Sequence, residues 1–198
     1  MFYIEDENAI SKNYLEKIDN WIMGTSFPWH FQSYSTTSKF PFFSHDVIPR
    51  YDHTKEEFRV NSEAWPFLCD IFESFCIQHR IKVKKVLRCS LNLTLHFENY
   101  PFADPHVDHN IPHLNMIMYF NNCSRGSTIL FKERDDSGVG AVYKPKVLDE
   151  SFTIEKEITP KKGKIAVFDG RHFHSHRFCV ESERRVICIV TFIPEHYE

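Results

Sequence analysis

No C-x-x-C pair occurs in this sequence, although it holds six cysteines: Cys69, Cys76, Cys89, Cys123, Cys179 and Cys188. That absence excludes zinc-knuckle and thioredoxin-type readings, and most of these thiols sit in apolar segments, as small buried side chains do. There is no excess of positive charge. The formal net charge is −3, so no overall field draws the chain to nucleic acid or an anionic membrane, which speaks against nucleic acid as a partner. No apolar run approaches membrane-spanning length. The opening MFYIEDENAI lacks the charged-then-apolar order of a signal peptide. These absences predict a cytoplasmic protein; a viral protein made in a host cytosol would carry the same marks. Internal repeats, low-complexity tracts and a second domain are also missing.

What is present is a chain of 198 residues, 42% hydrophobic and with 19 phenylalanines, enough for one substantial domain with a core of large rings. The first part, residues 1–85, reads as a helical and irregular support. Ile10, Tyr14, Ile18, Trp21 and Ile22 recur at helical spacing. A second helix is predicted over Glu63–His79, with Ser62 as N-cap and Pro66 in its first turn. The stretch Gly24–Tyr51 reads as irregular.

From Val86 the period changes to two. Leu87, Cys89, Leu91, Leu93 and Leu95 point one way; Arg88, Ser90, Asn92, Thr94 and His96 point the other. Strand-like runs follow at Leu114–Phe120, Thr128–Phe131, Ser151–Ile158, Ile165–Phe168 and Val186–Phe192, with Lys132–Lys146 as an exposed connection. Strands arriving in a run after helices predict a mainly β, antiparallel sandwich or barrel over residues 86–198, with N-terminal helices behind it.

The chemistry lies in two segments. PHVDHN (105–110) places His106 and Asp108 two apart, so that an extended chain projects both to one side. FDGRHFHSH (168–176) supplies a further imidazole, with His172, His174 and His176 all in place. Two imidazoles and one carboxylate on one face of an octahedron suit Fe(II) and leave three positions open. A bidentate 2-oxo acid can fill two and O₂ the third. Such an acid needs a cation for its far carboxylate, and a guanidinium matches it with two parallel hydrogen bonds; Arg184 and Arg185 both stand where the last strand opens. His109 and His113 read as loop histidines, and Trp21, Trp29 and Trp65 as core.

Taken in order, HVD (106–108), MYFN (118–121), GST (126–128), PKKGKIAVFDG (160–170), His174 and RRVICIVTF (184–192) resemble the 2-oxoglutarate/Fe(II) dioxygenase family. The resemblance is strongest to its prolyl-4-hydroxylase-like and phage-type members, and it covers residues 86–192, about half the chain. FPWHF (27–31) and LRCSLNL (87–93) add a looser likeness. The resemblance implies a double-stranded β-helix (jelly-roll) core, Fe(II) as metal, 2-oxoglutarate as co-substrate and O₂ as oxidant. It places the distal ligand at His174 rather than His172, with His172 and His176 nearby or solvent-facing. It places the oxo-acid anchor at Arg185 rather than Arg184, assisted by Tyr119, with Thr128, Asn92 and Thr94 as further wall residues. Two departures bear on activity. The second arginine that dealkylating demethylases carry on the last strand is replaced by Thr191. Asp108 is intact, whereas halogenases replace that carboxylate. Both favour hydroxylation of a peptidyl, in particular prolyl, or small-molecule substrate. A non-catalytic metal- or oxo-acid-binding jelly-roll and a cupin-type metalloenzyme are the competing readings.

Overall fold

A computed structural model describes residues 2–34, 40–50, 59–98, 100, 102–136 and 152–196. Two antiparallel sheets face each other. The larger has the order β1-β8-β5-β10-β4-β3-β2 and the smaller β7-β6-β9. The strands are β1 (Tyr3–Asp6), β2 (His30–Gln32), β3 (Phe42–Ile48), β4 (Val83–Thr94), β5 (Leu114–Tyr119), β6 (Thr128–Arg134), β7 (Ile154–Ile158), β8 (Ile165–Asp169), β9 (His172–His176) and β10 (Arg185–Pro194). Two helices, α1 (Lys12–Lys17, running on as a π-helix over Ile18–Ile22) and α2 (Trp65–Gln78), pack on one face of the larger sheet. This is the antiparallel sandwich expected from the order of the strands, in the jelly-roll form that the family resemblance implied. No helix among the described residues is long and apolar enough to cross a membrane.

The alternation along β4 and β10 decides which side of the sheet does what. Cys89, Leu91, Leu93, Val186, Cys188, Val190 and Phe192 enter the core beneath the helices. Their neighbours Arg88, Asn92, Thr94, Arg185, Ile187 and Ile189 face a cavity on the other side. A period of two can only do this, because successive side chains on a strand leave opposite faces. On α2, Phe67, Leu68, Ile71, Phe72 and Phe75 are buried, and Phe72 meets Phe192 edge-on at 5.1 Å between ring centroids. Each such ring removed from water contributes about 1.5–3 kcal/mol.

Residues 1–85 do more than support. β1 pairs with β8 (Tyr3↔Phe168), and β3 pairs with β4 (Phe43↔Leu93, Ser44↔Asn92, Asp46↔Ser90), so three N-terminal strands complete the larger sheet. The helical or irregular reading of this region is corrected accordingly. β3 escaped detection because its polar residues Ser44, His45 and Asp46 break the apolar alternation. Smaller corrections concern element ends. α2 begins two residues later than expected, with Ala64 at the capping position. Ser62 accepts the Ala64 N–H at 3.1 Å and meets His45 Nε2 at 2.7 Å, tying the helix start to β3. Lys132–Arg134 continue β6 rather than opening the exposed connection, whose positions 137–146 lie outside the described residues.

Replacing Phe72 by Ala removes the ring that joins α2 to β10 and leaves a cavity. The expected loss is about 3–5 kcal/mol of stability, read as a lower urea midpoint at unchanged slope. A loss under about 1 kcal/mol would show that α2 is not part of the cooperative core.

Candidate metal centre

The H-x-D segment runs antiparallel to β9. His106 and His174 exchange both backbone hydrogen bonds, His106 N–H to His174 O at 3.0 Å and His174 N–H to His106 O at 2.9 Å. This pairing puts the two rings side by side, 4.6 Å between centroids. Each Nδ1 is turned to a backbone carbonyl, His106 to Asp104 O and His174 to His172 O, both at 3.1 Å. A ring that donates Nδ1–H to a carbonyl keeps the lone pair on Nε2. Asp108 Oδ2 lies 3.3 Å from His174 Nε2, and one donor atom from each of His106, Asp108 and His174 lies within 4.8 Å of the others. The donor set is two imidazoles and a carboxylate, with no thiolate. These residues therefore fit a divalent, oxygen- and nitrogen-loving metal such as Fe(II).

Electrostatics prepare the ligands. Burial, and then the neighbouring His174 ring, push the His106 pKa down to about 4. For Asp108, burial works in the opposite sense. It is outweighed by the hydrogen bond and charge of His174 and by Arg50, which hold the carboxyl well below its usual range. The neutral ring and the ionised carboxylate are the forms that ligate.

Asp108 is gripped from every side. Asn115 Nδ2, from the start of β5, donates to Oδ2 at 3.0 Å. Arg50 donates to the Asp108 carbonyl, and Arg50 and Arg88 both reach Oδ1 at 3.4 Å. None of these three residues was singled out as a candidate. Arg88 lay on the polar face of the alternating strand, Asn115 inside an apolar run, and Arg50 beyond a strand that the pattern did not reveal.

At the other end of the cavity Arg185, Thr128 and Tyr119 converge. Arg185 Nη2 donates to Thr128 Oγ1 at 2.8 Å, the Tyr119 hydroxyl meets the same oxygen at 2.6 Å, and the guanidinium lies 5.7 Å from the Tyr119 ring centroid. Arg185 is 3% exposed, and its Nε has no hydrogen-bond partner among the described residues. Gly126, at φ +86°, makes this possible: a Cβ there would come within 2.9 Å of Cys123 Sγ and 3.3 Å of Arg185 Cδ. Arg184 is exposed, and its carbonyl accepts a bond from Asn121. Asn92 and Thr94 line the same cavity, of about 630 Å³, a size suited to small ligands.

His109 and His113 lie in a loop, as expected, but both are buried, and His172 and His176 stand near the cluster. His109 is buried and meets Thr191 Oγ1 at 2.8 Å, with its ring edge-on to that of His113. His113 is fully buried and packs against Gly170 so closely that a Cβ there would fall 2.2 Å from its Nε2. His172 turns Nδ1 to Phe131 O. His176 lines the cavity, its pKa held well below the ordinary value by burial and then by Arg185.

No family model matches the sequence, and no curated protein aligns with it significantly. Solved structures do match. An oxidoreductase of the 2OG-Fe(II) oxygenase family from Burkholderia pseudomallei superposes with TM-score 0.65 at 11% identity, over 96% of this chain and 85% of that one. The epimerase SnoN of nogalamycin biosynthesis gives 0.59 at 11%, over 96% and 78%. A prolyl hydroxylase from Trichoplax adhaerens, in complex with a hypoxia-inducible-factor peptide, gives 0.58 at 13%, over 96% and 83%. The chain has the fold of the 2OG-Fe(II) oxygenases.

The buried neutral histidines set an acid limit on stability. Burial pushes the His109 pKa down to about 3, below the ~6.5 of an unfolded histidine. Between these values the unfolded chain binds more protons. Stability therefore falls as pH drops from about 6.5, by up to ~1.4 kcal/mol per pH unit for each such histidine. His109→Gln should remove close to one proton from that dependence, measured as the slope of unfolding free energy between about pH 6 and 4.5. An unchanged slope would contradict a buried neutral His109.

Proposed function

We propose that the chain is an Fe(II)- and 2-oxoglutarate-dependent dioxygenase that hydroxylates a second substrate. The carrying observation is the joint presence, in one cavity, of the His106–Asp108–His174 cluster and the buried Arg185 with unused donor capacity. Support also comes from a related fold: SnoN has been solved with Fe³⁺ and α-ketoglutarate, at TM-score 0.54 and 12% identity.

When bound, the iron would couple conversion of 2-oxoglutarate and O₂ to succinate and CO₂ with insertion of the second oxygen atom into a C–H bond. The protein's own part is to bind and orient. His106 and His174 offer Nε2, and Asp108 offers Oδ2. Asn115 and the two arginines fix the carboxylate. Arg185, with Thr128 and Tyr119 beside it, takes the far carboxylate of the co-substrate, and the low dielectric of the buried site strengthens that pairing. Ile187 and Ile189 give that floor apolar walls that exclude water.

For the primary substrate we favour a peptidyl residue, proline in particular. Prolyl hydroxylases are among the chains that share the fold: the Trichoplax enzyme holds a peptide, and one from Pseudomonas putida superposes at TM-score 0.50. A free amino acid or other small metabolite is the alternative.

Anaerobic protein should take up one equivalent of Fe(II) and, with 2-oxoglutarate, develop a metal-to-ligand charge-transfer band. His106→Ala, Asp108→Ala and His174→Ala should each abolish tight iron binding. Iron retained in His174→Ala but lost in His172→Ala would reassign the distal ligand. Arg185→Ala should spare iron but weaken 2-oxoglutarate by about 2–5 kcal/mol, whereas Arg184→Ala should leave affinity within about twofold. Equal affinity in Arg185→Ala and the parent would remove the anchor assignment. Mass spectrometry of proline-containing peptides, with free amino acids in parallel, tests the substrate class.

A further inference from the structure

Three arginines and four aspartates line the cavity; one co-substrate requires one of the arginines, and the other two are at the wrong end for it. Arg185 is the cross-strand partner of Thr94, and Arg88 is the cross-strand partner of Thr191, on the same β4–β10 pairing. Along a strand these two anchor points are about 20 Å apart, at ~3.3 Å per residue. Contacts run in order between them: Arg185 to Thr128, Thr128 paired with His176, then His174, Asp108 and Arg88. The ligand cluster thus stands between two cationic ends. Arg50 reinforces the second end. It follows β3, which pairs with β4 through Asp46↔Ser90 and Ile48↔Cys89, so its guanidinium reaches the same Asp108 oxygen as that of Arg88.

These two guanidiniums are under-used. Each carries five N–H donors. Arg88 makes one contact, at 3.4 Å, and Arg50 makes two, all to Asp108, with no other hydrogen bond among the described residues. The other acid nearby, Asp46, accepts the Ser90 hydroxyl at 3.0 Å. Burial, and the neighbouring Arg88, lower the Arg50 pKa. A metal on Oδ2 would draw on the carboxylate that both arginines contact, leaving Asp46, which also favours the Arg50 charge, as the remaining acid beside two cations that face the cavity. Orientation of Asp108 alone needs one donor, which Asn115 supplies on the ligating oxygen and a single arginine would supply on the other. The opposite rim is of different character: Phe40 packs against Phe97 at 5.1 Å and Phe178 at 4.7 Å, and all three rings line the cavity.

We propose that Arg50 and Arg88 form a second anion site, which takes a carboxylate or phosphate group of the primary substrate while the aromatic rim covers its apolar part. The inference rests on the dioxygenase reading for which molecule is the substrate. The anion site itself is defined by the protein alone. Two guanidinium forks suit a planar carboxylate or a phosphate and discriminate against a neutral group of the same shape.

The test uses 3-phenylpropanoate, the isosteric 3-phenylpropanamide, and phenyl phosphate. Binding is measured by calorimetry to the anaerobic Fe(II)·2-oxoglutarate complex, and by thermal shift to metal-free protein. The acid or the phosphate should bind about tenfold or more tighter than the amide, and whichever of the two leads identifies the anion. Arg50→Gln/Arg88→Gln should abolish that preference, and Arg50→Lys/Arg88→Lys should restore part of it. Equal binding of acid and amide, or a preference that survives the Gln pair, would overturn the second site. Should the Gln pair lose iron, the metal-free comparison decides. Absence of the charge-transfer band in the parent protein would instead refute the dioxygenase reading, and the metal-free comparison would still settle the anion site.

Discussion

A carboxylate that is 8% exposed is costly unless its charge is met, and the interior of this protein is arranged around meeting that of Asp108. Its inner oxygen faces Asn115 and His174; its outer oxygen faces Arg50 and Arg88. Those four partners come from β5, β9, the end of β3 and β4. The jelly-roll must therefore be closed before the carboxylate is satisfied, and the satisfied carboxylate in turn holds the two sheets and the H-x-D segment in one register.

The cavity follows from the same closure. β10 lies at the centre of the larger sheet, between β5 and β4. Its odd positions face the cavity and its even positions face the helices. The helices can press on the back of the sheet without disturbing the front, so a rigid core and a polar site share one strand. The small sheet supplies the opposite wall, and its β9 carries three histidines on one face. Only His174 stands opposite His106. His176 is drawn towards Thr128 and Arg185, and His172 towards Arg134. One strand thus divides its imidazoles among the ligand cluster, the oxo-acid end and the outer edge.

Much of this was legible in the residues. The period of two on β4 and β10 gave the correct sides, and H-x-D followed by a histidine-rich strand marked the cluster. The ordering of short motifs pointed to a jelly-roll of the oxygenase type, and solved structures share that fold at identities near 11%. What escaped has specific causes. β3 was hidden by Ser44, His45 and Asp46, whose side chains are explained only by what they face. Asn115 was masked by its apolar neighbours Leu114, Met116 and Ile117. His109 and His113 are loop residues, as read, but their burial was hidden because sequence carries no measure of it.

The sequence by itself determined which residue types could act and which side of each strand they would take, because alternation is a local property of an extended chain. It could not choose among His172, His174 and His176, since all three share a parity. It could not bring Arg50 and Arg88 to Asp108 either, since they lie 58 and 20 positions away. Those choices belong to strand register, which is fixed by pairing between distant segments and by the burial that only the closed fold creates.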